Sequence, residues 1–337
     1  VVPLLFLFLP ILISPRVWRM IPAAYLALAV SIAGGILAWR YLMDTNLGTA
    51  DWGRFIHGQS LAYLANSPLI AFGAVFGVLM PLFCWIKVPH LGGISVAGQR
   101  GTQRIATSMM LAMAVFCWLA MASAGQRAPL LLSMLALVAG VLWLGIGYGF
   151  RYPMTLPSQR RLALIAPIVI LAGVSLWSLE LMPTALITGF SDKFRLVGDN
   201  ARLAEWGVIL GHVGQDIWAM LFGLGWGAHY HSPAVGNYYV GYAHGLMPYL
   251  LLKTGLIGWL GIGLYALALV LWAREAYKTW PWATGILLLA LMPPVLSAVL
   301  FYTSYKFLGF GLLLCVLRCL ALNGQVSEPS FITTDHP

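Results

Sequence analysis

Three stretches of this chain carry side chains able to do chemistry: Gln126-Arg127 opening an apolar segment, Arg202-Leu203-Ala204-Glu205-Trp206, and Gly223-Leu224-Gly225-Trp226-Gly227 followed by His244 ahead of another apolar segment. Each sets a cation or an imidazole at the end of a membrane helix. Guanidinium groups are costly in apolar surroundings, and their planar fork matches phosphate oxygens. Arg127, Arg202 and His244 on one water-facing side therefore point to a polar site for an anionic, lipid-borne substrate. A neutral imidazole at that boundary can take a proton from an attacking hydroxyl; a satisfied interfacial histidine is the alternative.

Arg202 falls in the first turn of a helix capped by Asp199 or Asn200, where free backbone N–H groups and the dipole already favour an anion. A cation added there makes sense if a phosphate is received at that end; pairing with Asp192, Asp199 or Glu205 is the alternative. Arg127 lies at an outer turn, with Pro129 suited to the first turn of the next helix. It reads as a second anion ligand or as an arginine snorkelling to the interface.

Gly223, Gly225 and Gly227 have the outline of a nucleotide fingerprint, but they follow an amphipathic helix instead of a strand, which excludes a Rossmann turn. They give a backbone that turns tightly and approaches a ligand or a neighbouring helix, with Trp226 free to stack on a sugar ring; a plain loop exit is the alternative. His229, His231 and His244 lack Cys or acidic partners at ligand spacing, so neither a metal nor another cofactor is expected.

The elements that position these residues are membrane helices. With 61% hydrophobic and only 9% charged residues over 337, the composition is that of an all-α, polytopic membrane protein. At about 20 residues per span, nine candidates stand out: 1–13, 17–42, 60–86, 103–123, 128–149, 161–181, 245–272, 282–300 and 304–321. The first is too short to be complete and is expected to be the remnant of a longer span. No candidate alternates with period two, so a barrel is excluded. Arg16, Arg19, Lys87, Arg100, Arg104, Arg151, Arg160, Arg161, Arg274 and Lys278 fall in one alternating set of loops. The positive-inside rule makes that set cytoplasmic and puts Arg127, Arg202 and His244 outside.

The chain divides into helices over 1–181, an outer loop over 182–243, helices over 244–322 and a cytoplasmic tail over 323–337. In the loop, Leu203, Trp206, Leu210, Val213, Ile217 and Leu221 recur at spacings of three and four, so an amphipathic helix is expected along the outer interface. Its other face would carry Arg202, Glu205, His212 and Asp216, largely solvated, with Trp206 and Trp218 near the headgroups.

The net charge of +9 follows from this topological bias toward anionic lipid and calls for no nucleic acid. All four cysteines fall inside predicted spans and read as small packing residues, not a disulfide framework. None of the ten acidic residues lies deep in a span, which disfavours an ion-coupled carrier. No Gly-x-Ser-x-Gly elbow for hydrolysis is present.

In the order Gly125-Gln126-Arg127, Arg202 to Trp206, Gly223 to Gly227, His244 and Gly255-Leu256-Ile257-Gly258, the chain from Ser123 onward resembles the O-antigen ligase and O-antigen polymerase superfamily of membrane glycosyltransferases. The earlier spans match only as generic membrane helices. The resemblance implies an inverting, metal-independent transfer of glycan from undecaprenyl pyrophosphate to an acceptor hydroxyl at the periplasmic face of a bacterial inner membrane. Arg127 and Arg202 would stabilise the pyrophosphate leaving group, and His244 would be the base or orienter. Gly223, Gly225, Gly227, Trp226 and Trp206 would line the substrate site. Gly245 stands where the family often has Asn, and Lys253 where an acidic residue is common. Because the long loop sits late and few spans follow it, ligation of O-antigen to lipid A core is the expected reaction. Polymerisation of repeat units and glycan transfer to a protein share its chemistry. A lipid-linked glycan flippase, which would carry cations along a central cavity, is the alternative without chemistry.

Overall fold

Apolar segments that cannot give their N–H and C=O groups to water satisfy them internally, and here they do so as helices. The computed structural model describes residues 5–21, 23–44, 67–87, 97–123, 127–149, 201–301 and 307–323, mostly helical with a single short β-hairpin among them. Ala23–Met43, Leu246–Thr279 and Pro281–Leu300 are long and apolar enough to cross a membrane. The predicted span over 161–181 lies outside the described residues.

The long helices are α1 (Ala23–Asp44), α2 (Pro68–Lys87), α3 (Ala97–Ser123) and α4 (Arg127–Gly149). Later in the chain come α7 (Leu246–Thr279), α8 (Pro281–Leu296), a π turn over Ser297–Phe301, and α9 (Phe307–Asn323). Two expected spans are corrected. Residues 5–12 are not one rod but short pieces, Phe6–Phe8 and Leu9–Leu12, and the expected helix over 17–42 is split into Pro15–Met20 and α1. Ile21 is extended (φ −94°, ψ 115°), and the sequence supplies the reason: it precedes Pro22, whose ring disfavours α geometry in the residue before it. The Phe6–Phe8 turn lies against α9 and α7, where Tyr265 Oη donates to the Leu7 carbonyl at 2.8 Å.

Small residues set the spacing of the bundle. Gly34 of α1 abuts the Leu69 backbone, and Gly77 of α2 abuts Met110 and Ala114 of α3. Trp118 Nε1 donates to the Ala74 carbonyl at 3.0 Å. Gly285 of α8 receives the indole of Trp143 from α4, and Trp143 packs tilted against Trp282, ring centroids 4.7 Å apart.

These contacts sort the helix ends. Trp143 marks where the far part of α4 meets the start of α8, and α4 also touches the π turn at the other end of α8. About 24 Å of helix separates Trp143 from Arg127, and about 21 Å separates Gly285 from Val299, at 1.5 Å per residue. The Val299 carbonyl lies against Gly245, so the first turn of α4, with Arg127, shares its end of the bundle with His244. The ends of α2 and α7, with Lys87, Arg274 and Lys278, lie at the opposite end beside the start of α8.

Between α4 and α7 the described chain forms α5 (Ala201–Val213), α6 (Ile217–Phe222) and a hairpin of β1 (Tyr230–Ser232) with β2 (Tyr238–Val240). The strands pair antiparallel, Tyr230 opposite Val240 and Ser232 opposite Tyr238. A single amphipathic helix through Leu221 does not form, because the chain turns at Gly214 and re-enters helix after an extended Asp216 (φ −139°, ψ 139°). The buried stripe is also rotated from the expected one. Leu203 is 70% exposed and Leu210 52%, whereas Glu205, Ile209 and Val213 are buried.

Candidate functional site

The spacing of Glu205, Ile209 and Val213 places them on one face of α5, and that face meets the hairpin and the start of α7. Ile209 and Val213 pack with Tyr230, Tyr249 and Leu252. Glu205, at 0% exposure in the same interface, needs donors from the protein. It receives Tyr230 Oη at 2.5 Å, Ser232 Oγ at 2.6 Å and the His244 backbone N–H at 2.9 Å. His244 Nδ1 lies 3.2 and 3.3 Å from the two carboxylate oxygens. Burial pushes the carboxyl pKa up, but the bonds from His244, Ser232 and Tyr230 outweigh it, and the net shift is downward. The Tyr230 phenol is driven well above its ordinary range by burial and by the adjacent carboxylate.

His244 therefore stands on a buried carboxylate. Its own side chain is 20% exposed, with the Tyr242 ring edge-on at 5.9 Å. Gly245, at φ 98°, caps α7, and the left-handed value is what brings the histidine out of line with the helix. Pro248 sits in the first turn of α7, where its missing N–H costs nothing. The break in α7 comes at Gly255 (φ 62°, ψ −156°).

That break interlocks with the glycine turn. A Cβ on Gly223 would come within 2.5 Å of the Lys253 and Thr254 backbone, and one on Gly255 within 2.5 Å of the Gly223 and Leu221 backbone. The two chains cross in direct contact, and Leu224 N–H donates to the Leu252 carbonyl at 2.8 Å. Gly225 has φ 83° with open space around it, and Gly227 also faces open space. Trp226 is half-buried, edge-on to Tyr249 at 6.2 Å, and Trp206 is half-buried, edge-on to Trp259 at 6.0 Å.

Lys253 closes the arrangement. It is 3% exposed, and its ammonium donates to the carbonyls of Trp226 at 3.0 Å and Ala228 at 2.6 Å. The sequence marked it only as a departure from the family pattern. The available signal was physical: a lysine inside an apolar helix must find oxygens, and a tight glycine turn presents carbonyls.

Glu205 corrects the sequence reading outright. Expected on the solvated face, it is the buried centre of the site. Arg202 lies one turn earlier in α5, within about 6 Å of Glu205 at the level of the helix backbone; its side chain and that of Arg127 are outside the described residues. His229 and His231 sit on the hairpin rim, their Nδ1 atoms 2.6 Å from the Gly227 carbonyl and 2.9 Å from the Asn237 carbonyl, with Tyr239 packed on both rings.

Family models, curated proteins and solved structures were each compared with this chain, and none matches. The site's own geometry carries the chemistry. An imidazole bound to a carboxylate through Nδ1 has Nε2 left to exchange a proton with a hydroxyl, beside a helix end that carries an arginine.

Proposed function

We propose that this protein is an inverting membrane glycosyltransferase that ligates undecaprenyl-pyrophosphate-linked O-antigen glycan to lipid A core at the periplasmic face of a bacterial inner membrane. The observation that carries the reading is His244 held on the buried carboxylate of Glu205, with Arg202 one helical turn away and the first turn of α4 at the same end of the bundle.

His244 takes the proton of the acceptor hydroxyl as its oxygen attacks the anomeric carbon of the donor sugar. The bond from that carbon to the pyrophosphate oxygen breaks on the opposite side, and its electron pair leaves with undecaprenyl pyrophosphate. One displacement inverts the anomeric centre. Charge grows on the leaving group, and the guanidinium groups of Arg127 and Arg202 stabilise it electrostatically, the work a divalent cation does in other transferases. Gly223, Gly225 and Gly227 give the glycan close access to backbone, with Trp226 and Trp206 at the edge. The polyprenyl tail lies among apolar helices such as α7, whose Leu260, Leu264, Leu267 and Val270 are exposed.

The test is reconstitution in proteoliposomes with the undecaprenyl-pyrophosphate glycan, lipid A core and EDTA. Glycan-bearing lipid A is the expected product. Glycan growth on the carrier lipid instead would identify a polymerase, glycan on an added acceptor protein an oligosaccharyltransferase, and donor movement without transfer a flippase.

A further inference from the structure

We infer that Glu205 is a positioning residue that locks His244 in the tautomer protonated at Nδ1, leaving Nε2 as the proton-accepting atom. This deepens the proposed role of His244 and rests on it only for its catalytic consequence.

The donors around the carboxylate dictate the tautomer. An ionised carboxylate only accepts hydrogen bonds. Oε1 already faces two hydroxyls, Tyr230 Oη at 2.5 Å and Ser232 Oγ at 2.6 Å. Oε2 faces the His244 backbone N–H at 2.9 Å, a group that can only donate. With both oxygens committed as acceptors, the ring nitrogen resting 3.2 and 3.3 Å from them must bring its own hydrogen. In the neutral imidazole the other nitrogen then holds a lone pair. The same contacts fix ring orientation, since backbone and side chain of His244 are bound to one carboxylate, and that carboxylate of α5 is held by groups from β1 and from the segment entering α7. No solvent competes, because Glu205 is 0% exposed.

A purely structural staple would hold these three elements together without dictating which nitrogen carries the proton, so the measurement has to read the proton. Wild-type protein with ¹⁵N-labelled histidine in lipid nanodiscs is examined by imidazole ¹⁵N NMR at a pH where the rings are neutral. His244 is assigned among the seven histidines by difference from His244→Gln. The expected spectrum has a protonated-type Nδ1 and an unprotonated-type Nε2. In Glu205→Gln the His244 signals move toward the opposite tautomer, while Tyr230→Phe, which keeps the carboxylate, leaves them in place. In the transfer assay Glu205→Gln lowers kcat by about 10²-fold with donor KM within twofold. A wild-type His244 protonated at Nε2, or a tautomer unmoved in Glu205→Gln, overturns the inference. The NMR result stands apart from the assay, so a locked tautomer in a protein that transfers no glycan would sink the proposed function alone.

Discussion

At the scale of single residues, the decisive group is one that charge patterning assigns to water. Helix α5 carries two apolar ridges, one through Leu203 and Leu210 and one through Trp206, Ile209 and Val213, and spacing alone does not choose between them. The hairpin makes the choice by offering Tyr230 and Ser232 to the ridge that includes Glu205. The imidazole and the glycine cluster were legible in the sequence; their carboxylate was not, since its donors lie 25 to 39 residues away. Replacing Glu205 by Ala strands several buried donors, and thermal unfolding should report a loss of about 3 kcal/mol; an unchanged midpoint would contradict the network.

The same carboxylate links stability to acid. Its folded pKa is lowered from 4.5, so its contribution is present above that value and is lost as the pH falls through the lower, folded one. The protection factors of α5 amides, with the intrinsic pH dependence of exchange divided out, should therefore fall in wild type below pH 4.5. In Glu205→Gln the corresponding acid step should be absent, because the amide does not titrate.

At the scale of elements, the informative features are interruptions. The hairpin had a signal in Gly236-Asn237, both left-handed (φ 73° and 64°) between Ser232 and Tyr238, a pairing suited to tight reversals. The break in α7 was legible only as a pair of glycines in an apolar run, because nothing local shows that another glycine turn crosses there. Gly255 occupies a region of backbone space nearly closed to other residues and also lacks room, whereas Gly225 has the strained φ but open space. Gly255→Ala should therefore cost at least about 2 kcal/mol and Gly225→Ala about 1 kcal/mol, compared by denaturant midpoint. Equal costs would deny the interlocked crossing.

Helix α6 poses a solvation question of its own. Ile217, Trp218 and Phe222 are exposed, while Gln215 and Asp216 beside them are polar, the composition of a segment resting on lipid. Spin labels at Trp218→Cys and Phe222→Cys in nanodiscs should be more accessible to oxygen than to a water-soluble nickel chelate, with the reverse at His212→Cys. Nickel access at all three positions would remove α6 from the interface.

At the scale of the whole molecule, apolar runs marked where the helices lie, and prolines trimmed them. The splitting before Pro22 was readable from the sequence, yet the continuous hydrophobicity on both sides concealed it. What the sequence could not supply is the pairing of helix ends, which depends on close contacts such as Gly285 with Trp143 and Gly245 with Val299. Those contacts bring the first turn of α4 and His244 to one end, and Lys87, Arg274 and Lys278 to the other, as the basic-residue asymmetry requires if the second end is cytoplasmic.

The most direct test of this account is the initial rate of glycan transfer by His244→Ala beside wild type, in the same proteoliposomes with EDTA. With His244 as the proton acceptor, kcat falls by at least about 10²-fold with little change in donor KM. A variant that turns over at the wild-type rate would contradict it.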